Sequence, residues 1–475
     1  MTGTPAPDQH RALDLVGIGI GPANLSLAAL ADGVPGGLDT AFYEQRPHFG
    51  RPGGPPVEDA ALRVPFLADL VTLADPASPW SFLRFLRSRD RLFPFCAAER
   101  FRIDRAEYDA YCRWVAEALP GLHFGHQVDG VRWNPEQELF EIDFTRTGAE
   151  GGTRAEGETA APGRIRARSV AVGIGSEPYV PEPLRPLADT PTVPVVHSAD
   201  YLRHRDTLVA AGHITVVGSG QSGAEIFLDL LRSRPEGREG LHWITRTEAF
   251  APREHSGLGL EDLTPDHTRY FHALPEDVRD GPAPRRRQRH QGIDPATLAA
   301  VHDELYRRSL PGGWPDAVLT PGVRVRTAGR VATTRVELHL EHVQQGTRSR
   351  LTTDAVVLAT GYRERPLTRV LTGLDPYLRR DAAGRPRIGE DFRLVLDPSV
   401  TGTVFVQSAD VRTHGAGVSG PGLTAWRSAS ILNSLTGREP YRLPHRTAFT
   451  AFGLERPDAP RIPGQDRRLT PLVRT

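Results

Sequence analysis

Two glycine clusters carry the strongest chemical signal in the sequence. Gly17, Gly19 and Gly21, followed by Pro22 and Asn24, stand where the apolar run LDLVGIG (13–19) gives way to a second apolar stretch, Asn24 to Leu30. Gly218, Gly220 and Gly223, with Gln221 and Ser222 between them, occupy the same place in HITVVGSGQSGAEIFLDLL (213–231). Glycine at such positions lets a strand turn tightly into a helix and brings backbone amides up to a pyrophosphate, whose charge the helix N-terminus stabilises. The second cluster is an unbroken GxGxxG, whereas the first has Pro22 at its third position. A tight turn of this kind also occurs in α/β folds that bind nothing, so the flanking elements decide its meaning.

Those elements are present. The extended segment Asp39 to Tyr43 ends at Glu44, which is placed to accept from ribose hydroxyls and closes a βαβ unit of about thirty residues. After the second cluster the strand-like LHWITR (241–246) ends at Arg246, where a cation meets a 2′-phosphate, so NADPH is expected rather than NADH. All 58 basic residues are arginine, which weakens the information carried by any one of them. The buried-strand pattern DAVVLATGY (354–362) ends in Thr360, Gly361 and Tyr362, as expected where a returning strand passes a bound cofactor. With His414 in RTHGAG, these complete the cofactor-side candidates. Cys96 and Cys112 form no CxxC, His414 has no ligand-type neighbours, and no triad spacing occurs, so no metal is expected and the chemistry belongs to the cofactors.

At 475 residues the chain exceeds the size of a single core. Its 39% hydrophobic and 24% charged residues, with 58 basic against 58 acidic, describe a globular enzyme and disfavour nucleic acid as a partner. No basic, apolar leader and no long apolar run occurs, so a cytoplasmic protein without a membrane partner is expected. The fold class follows: α/β, with two Rossmann-like dinucleotide-binding domains. The expected division is 12–205 for the first part of one domain, 206–350 for the second domain, 351–440 for the remainder of the first with substrate-pocket residues, and 441–475 for a C-terminal tail. Residues 145–167 and 281–292 read as surface loops, and the Pro- and Arg-rich tail beyond Arg438 as partly disordered.

VGIGIGPANLSLAAL, VPFLADLVTLADPASPWSFLRFL, AEYDAYCRWVAEAL, GSGQSGAE, ATGY and THG followed by AWRSASILN together resemble the flavin-dependent N-hydroxylating monooxygenases, the lysine, ornithine and diamine N-hydroxylases of siderophore pathways. The resemblance runs from about Leu13 to Leu435 and implies FAD in the first, discontinuous domain and NADPH in the second. It implies that NADPH reduces FAD, that O2 is captured as a C4a-hydroperoxide, and that an unprotonated amine attacks its distal oxygen. The family often assembles into dimers or tetramers, and the sequence does not itself fix the state.

The departures from the family gather where its members hold substrate. A Trp-His-Pro-Gly-Met segment is replaced by Gly50-Arg51-Pro52-Gly53-Gly54, and a Gln by Arg63. Where lysine and ornithine enzymes place a Lys to grip an α-carboxylate, this chain has Ala68, and diamine hydroxylases also lack that Lys. An Asn-Glu pair becomes Arg253-Glu254, and Asn-Leu-Ser-Leu becomes Gly420-Pro421-Gly422-Leu423. Guanidinium groups at Arg51, Arg63, Arg253, Arg289 and Arg427 would hold the carboxylates of an acidic amino acid such as aspartate and repel a dication. The expected reaction is therefore stepwise N-oxidation of aspartate towards a nitro product. The alternatives are hydroxylation of lysine, ornithine or a diamine, and an uncoupled NADPH oxidase or non-catalytic flavoprotein. The bland account of the arginines, as surface or phosphate-contacting groups, stands beside the first.

Overall fold

Residues 11–50, 64–99, 101–147, 162–188, 195–254, 256–281, 292–310, 312–332, 334–407 and 411–454 are described by a computed structural model of the protein. The first apolar run becomes the strand Leu13–Ile18, with Leu15 and Val16 fully buried on opposite faces. A strand covered on both sides reads as a continuous apolar run, which is the pattern of a central parallel strand. Its neighbours are Thr40–Glu44 and Pro162–Val172, both parallel to it. The seven-stranded sheet continues from Thr40–Glu44 to Leu122–Phe124 on one side, and from Pro162–Val172 to Leu139–Arg146 and His126–Asn134 on the other. Pro162–Val172 is long enough for two partners. Its first half pairs antiparallel with Leu139–Arg146, and its second half pairs parallel with Thr403–Val406.

The helix Pro22–Ala31 is apolar nearly all round, and eight of its residues are buried. Such a helix needs cover on several sides. The sheet lies beneath it, and the helices Arg105–Ala118 and Thr424–Thr436 pack against it.

A second sheet is wholly parallel, in the order Val195–His197, Ala355–Leu358, Ile214–Val217, Leu241–Ile244, Ala317–Thr320. An antiparallel meander, Val323–Ala332, Arg335–His342 and Arg348–Thr353, precedes Ala355–Leu358. The division expected from sequence is corrected here at both boundaries. Val195–His197 lies before 206 and Ala355–Leu358 after 350, yet both belong to the second sheet. The strand of DAVVLATGY therefore sits at the centre of the second sheet and is not a returning strand of the first, which is supplied instead by Thr403–Val406.

Chain passes from the first sheet to the second after Val172 and back after Leu358. The two crossings pair with each other as an antiparallel ribbon, Ser176–Pro178 with Tyr362–Glu364. Residues 148–161, within one expected loop, and 282–291, within the other, lie outside the described residues. The start of the tail is packed: Tyr441 and Ala448 are buried. Among the described residues no helix is long and apolar enough to cross a membrane.

Candidate functional site: two glycine cradles and the cleft between them

Each glycine turn is made by contacts that exclude a side chain. A Cβ on Gly17 would lie 1.9 Å from Cδ1 of Phe42, and Gly19 has φ +86° with its Cβ position 2.5 Å from the Gly173 carbonyl. At Gly21 the space is open: an added Cβ would meet nothing within 4 Å. Gly21 caps Pro22–Ala31 without any side-chain hydrogen bond, so the first amides of the helix are left for an external acceptor. A pyrophosphate-bearing cofactor fits this cradle, because the backbone is exposed there and the helix N-terminus is unoccupied by a side chain.

Two residues expected to touch cofactor brace the turn in this structure. Asn24, fully buried, donates from Nδ2 to the carbonyls of Gly19 at 2.8 Å and Ile18 at 3.1 Å. Glu44 accepts the Ile20 amide at 3.0 Å, and Arg46 donates to it from Nε at 2.9 Å, Nη2 at 3.1 Å and its backbone amide at 3.1 Å. Burial raises the pKa of Glu44, but Arg46 and these amides outweigh it and hold the carboxyl below its ordinary value.

The second cradle repeats the logic more tightly. Gly218 has φ +134°, and a Cβ there would come within 2.1 Å of the Ala359 carbonyl. The indole of Trp243 donates to Gly218 O at 2.7 Å, and Gly223 packs against the same carbonyl. Gly220 caps Gln221–Ser233, again without a side-chain bond. Ser222 is exposed at the helix start. The Gln221 side chain is engaged elsewhere: its Oε1 accepts the Asp294 amide at 2.7 Å, and its Nε2 donates to Glu225 at 2.9 Å and Thr297 at 3.0 Å. Arg246 lies two residues beyond Leu241–Ile244, exposed, with no hydrogen bond or ion pair among the described residues. Thr360, Gly361 and Tyr362 lie at the crossing. Thr360 donates to the Tyr179 carbonyl, Gly361 O lies 3.0 Å from Nε2 of His197, and the Tyr362 ring stands edge-on to His197.

The arginines expected to grip an acidic substrate do not form a clamp among the described residues. Arg253 donates to Asp294 at 3.2 Å, and its amide to Ile293 O at 2.9 Å. Arg427 is buried, donates to Val418 O at 2.9 Å and faces the Phe392 ring at 6.0 Å. Arg51, Arg63 and Arg289 lie outside the described residues. His414 is wholly buried, stacked 4.5 Å from Phe392 and 4.8 Å from the His272 ring. Burial, aided by His272, lowers its pKa to about 3, which describes a neutral core histidine. Ala68 is buried at 5% exposure. Beside it, Asp69 escaped sequence reasoning: Oδ1 accepts the amides of Val71 and Thr72, and Oδ2 the Thr72 hydroxyl and the Phe82 amide. An Asp two or three residues ahead of amides it can hold is an Asx-turn signal, and that signal was available in LADLVT.

Two segments border the cradles. Gln407 leaves Thr403–Val406 with its amide on Val172 O at 2.9 Å and its side chain on Ala23 O at 3.3 Å, so the chain leaves this strand beside the first cradle. Arg253 is tied through Asp294 to Gln221 at the mouth of the second.

The L-lysine 6-monooxygenase/L-ornithine 5-monooxygenase family model matches residues 11–364, well over half the chain. The chain is 37% identical over 458 residues to the rhizobactin siderophore biosynthesis protein RhbE of Rhizobium meliloti (strain 1021), covering 93% of this chain and 95% of that one. It is 33% identical over 450 residues to the putrescine N-hydroxylase of Shewanella oneidensis, covering 94% and 86%. The FAD-bound cadaverine monooxygenase DfoA of Erwinia amylovora superposes with a TM-score of 0.86 at 33% identity, covering 94% of this chain and all of that one. With two glycine cradles of this construction, the chain belongs to the L-lysine 6-monooxygenase/L-ornithine 5-monooxygenase family of FAD- and NADPH-dependent flavin N-monooxygenases.

Proposed function

We propose that this enzyme N-hydroxylates one terminal amine of a short aliphatic diamine, consuming NADPH and O2 and releasing the hydroxylamine, NADP+ and water. The observation that carries this reading is Ala68. At a position where lysine and ornithine enzymes resemble one another in using a Lys for the α-carboxylate, this chain has a buried methyl group, which suits a substrate without a carboxylate. The relatives named above for their substrates act on putrescine and cadaverine, which supports the same class. Of the arginines invoked for aspartate, the two that are described are engaged within the chain: Arg253 pairs with Asp294, and Arg427 donates to a backbone carbonyl. The arginine argument for aspartate thus yields to its alternative.

The glycine turn at Gly17–Pro22 would hold the FAD pyrophosphate, and Gly218–Gly223 that of NADPH, with Arg246 free to meet the 2′-phosphate. When bound, the flavin supplies activated oxygen. The chain's own task is to admit the amine in its neutral form and keep water out; a desolvated cleft disfavours the ammonium ion, whose ordinary pKa near 10.4 leaves little free base at neutral pH.

The test follows NADPH oxidation and N-hydroxylated product separately with putrescine, cadaverine, 1,3-diaminopropane, lysine, ornithine and aspartate. Coupled turnover on diamines, with lysine and ornithine at least about tenfold weaker in kcat/KM, supports the proposal. Coupled turnover on aspartate would overturn it.

A further inference from the structure

One stretch of chain, residues 441–452, is tied at its start to the helices Pro22–Ala31 and Thr424–Thr436 and at its end to residues 261–266. Its start is fixed to the first domain. The Tyr441 hydroxyl donates to Leu30 O, and the Tyr441 backbone exchanges two bonds with the Asn433 side chain, its amide donating to Oδ1 at 3.2 Å and its carbonyl accepting from Nδ2 at 2.7 Å. Its end is fixed to the second-domain segment that follows Arg253. Glu261 accepts the Phe449 and Thr450 amides, one on each oxygen, both at 2.8 Å. Asp266 accepts the Thr447 amide at 2.8 Å and the Ala448 amide at 3.0 Å, and Thr447 takes the Asp266 amide at 3.1 Å.

The segment so held packs against residues 415–417. A Cβ on Gly417 would sit 3.3 Å from Cα of Leu263, and one on Gly415 3.3 Å from Cγ of Phe271. Arg385 with Asp280, and Arg387 with Glu276, add ion pairs across the same seam. Apolar contact holds part of residues 447–454, through buried Ala448 and the Phe452 ring 5.0 Å from His267, but Phe449 is 83% and Leu454 82% exposed. Two carboxylates each taking two main-chain amides supply the rest, and charge-assisted bonds of this kind are the stronger ones. The donors hold the Glu261 carboxyl below its ordinary pKa, so it is ionised when it binds them.

We infer that Glu261 and Asp266 are positioning residues, which hold the C-terminal strap on residues 261–266 and thereby keep residues 411–423 packed against Leu263 and Phe271. The inference rests on the proposed amine hydroxylation for its consequence. A loosened 411–423 segment admits water, and reducing equivalents then pass to O2 and escape as hydrogen peroxide while NADPH oxidation continues.

The test compares Glu261→Ala, Asp266→Ala and a chain ending at Leu443 with the full-length enzyme, each loaded with FAD. Hydrogen–deuterium exchange at residues 411–417 should rise about tenfold or more in all three, since each loses hydrogen bonds to a charged acceptor. Product formed per NADPH should fall severalfold with the best diamine, and peroxide should make up the difference. Unchanged exchange at 411–417 in both single variants would overturn the inference, as would an equal fall in NADPH oxidation and product. Should the shortened chain not fold, the single variants decide. Should the wild-type enzyme oxidise no amine, the proposed function fails, and the exchange measurement alone decides the strap.

Discussion

Trp243 donates its indole N–H to the carbonyl of Gly218 at 2.7 Å, so a side chain on one strand of the second sheet fixes the glycine turn on its neighbour. The turn has no freedom to find this geometry otherwise, because Gly218 is in the left-handed region and pressed against Ala359 O. Trp243→Phe keeps the apolar ring and removes the donor. A lost bond of about 1 kcal/mol corresponds to a rise of about fivefold in the apparent KM for NADPH, with FAD content unchanged. Steady-state kinetics with a saturating amine, beside a flavin absorbance spectrum, check both halves. Equal KM values would show that the bond does not shape the cradle.

Arg246 supplies a sharper test, because it discriminates between nucleotides. An exposed guanidinium without a partner among the described residues is available to a phosphate. Arg246→Ala should raise KM for NADPH by about tenfold to a hundredfold, the range for a charge-assisted contact of 1.5–3 kcal/mol, and leave NADH nearly unaffected. If both nucleotides weaken together, the residue acts on the turn and not on the 2′-phosphate.

His414 predicts a dependence of stability on pH. Its folded pKa lies near 3 against an ordinary value of 6.5, so between those values the unfolded chain binds a proton that the folded chain refuses. Stability therefore rises with pH from about 3 to about 6.5 and is insensitive to this group above that range. Replacing it by a group that does not titrate, as in His414→Gln, should flatten this part of the profile. Tm measured at pH 5 and pH 7.5 shows whether the gap narrows; an unchanged gap would assign the slope to other groups.

Ala68→Lys tests the substrate class from the pocket side. A new ammonium at a buried position repels a dicationic substrate and must itself be desolvated or neutralised. Diamine kcat/KM should fall at least about tenfold, while the rate at which NADPH reduces the flavin in stopped flow stays within about twofold. A diamine kcat/KM that survives the substitution would remove Ala68 from any role in recognition.

The cradles were legible because glycine is demanded by backbone geometry that few other residues tolerate: Gly17, Gly19 and Gly218 are each closed to a Cβ by a named atom. Periodicity also identified Ala355–Leu358 as a buried strand. It could not tell which sheet the strand joins, since a run of four buried apolar residues fits the middle of either. The partners of Arg253 and Arg427 were invisible for a related reason. Asp294 is 41 residues away from Arg253, and Val418 offers Arg427 a carbonyl that no side-chain pattern reports. Glu44 and Asn24 were found, but as cofactor contacts; their grip on the turn depends on the exact approach of Ile20 and Ile18, which spacing alone does not carry.

The paired crossings impose an order on synthesis. A ribosome delivers Ala355–Leu358 last of the second sheet's strands, and that strand must enter between Val195–His197 and Ile214–Val217, which have already emerged. Thr403–Val406, which completes the partners of Pro162–Val172, follows later still. The nascent protein therefore carries an incomplete second sheet until Leu358 is made and an incomplete first sheet until Val406 is made, and closes the inserted one before the one that began first. Long-range parallel pairing of this type is slow, so exposed strand edges during translation, and not the finished enzyme, are where this chain is most vulnerable to aggregation.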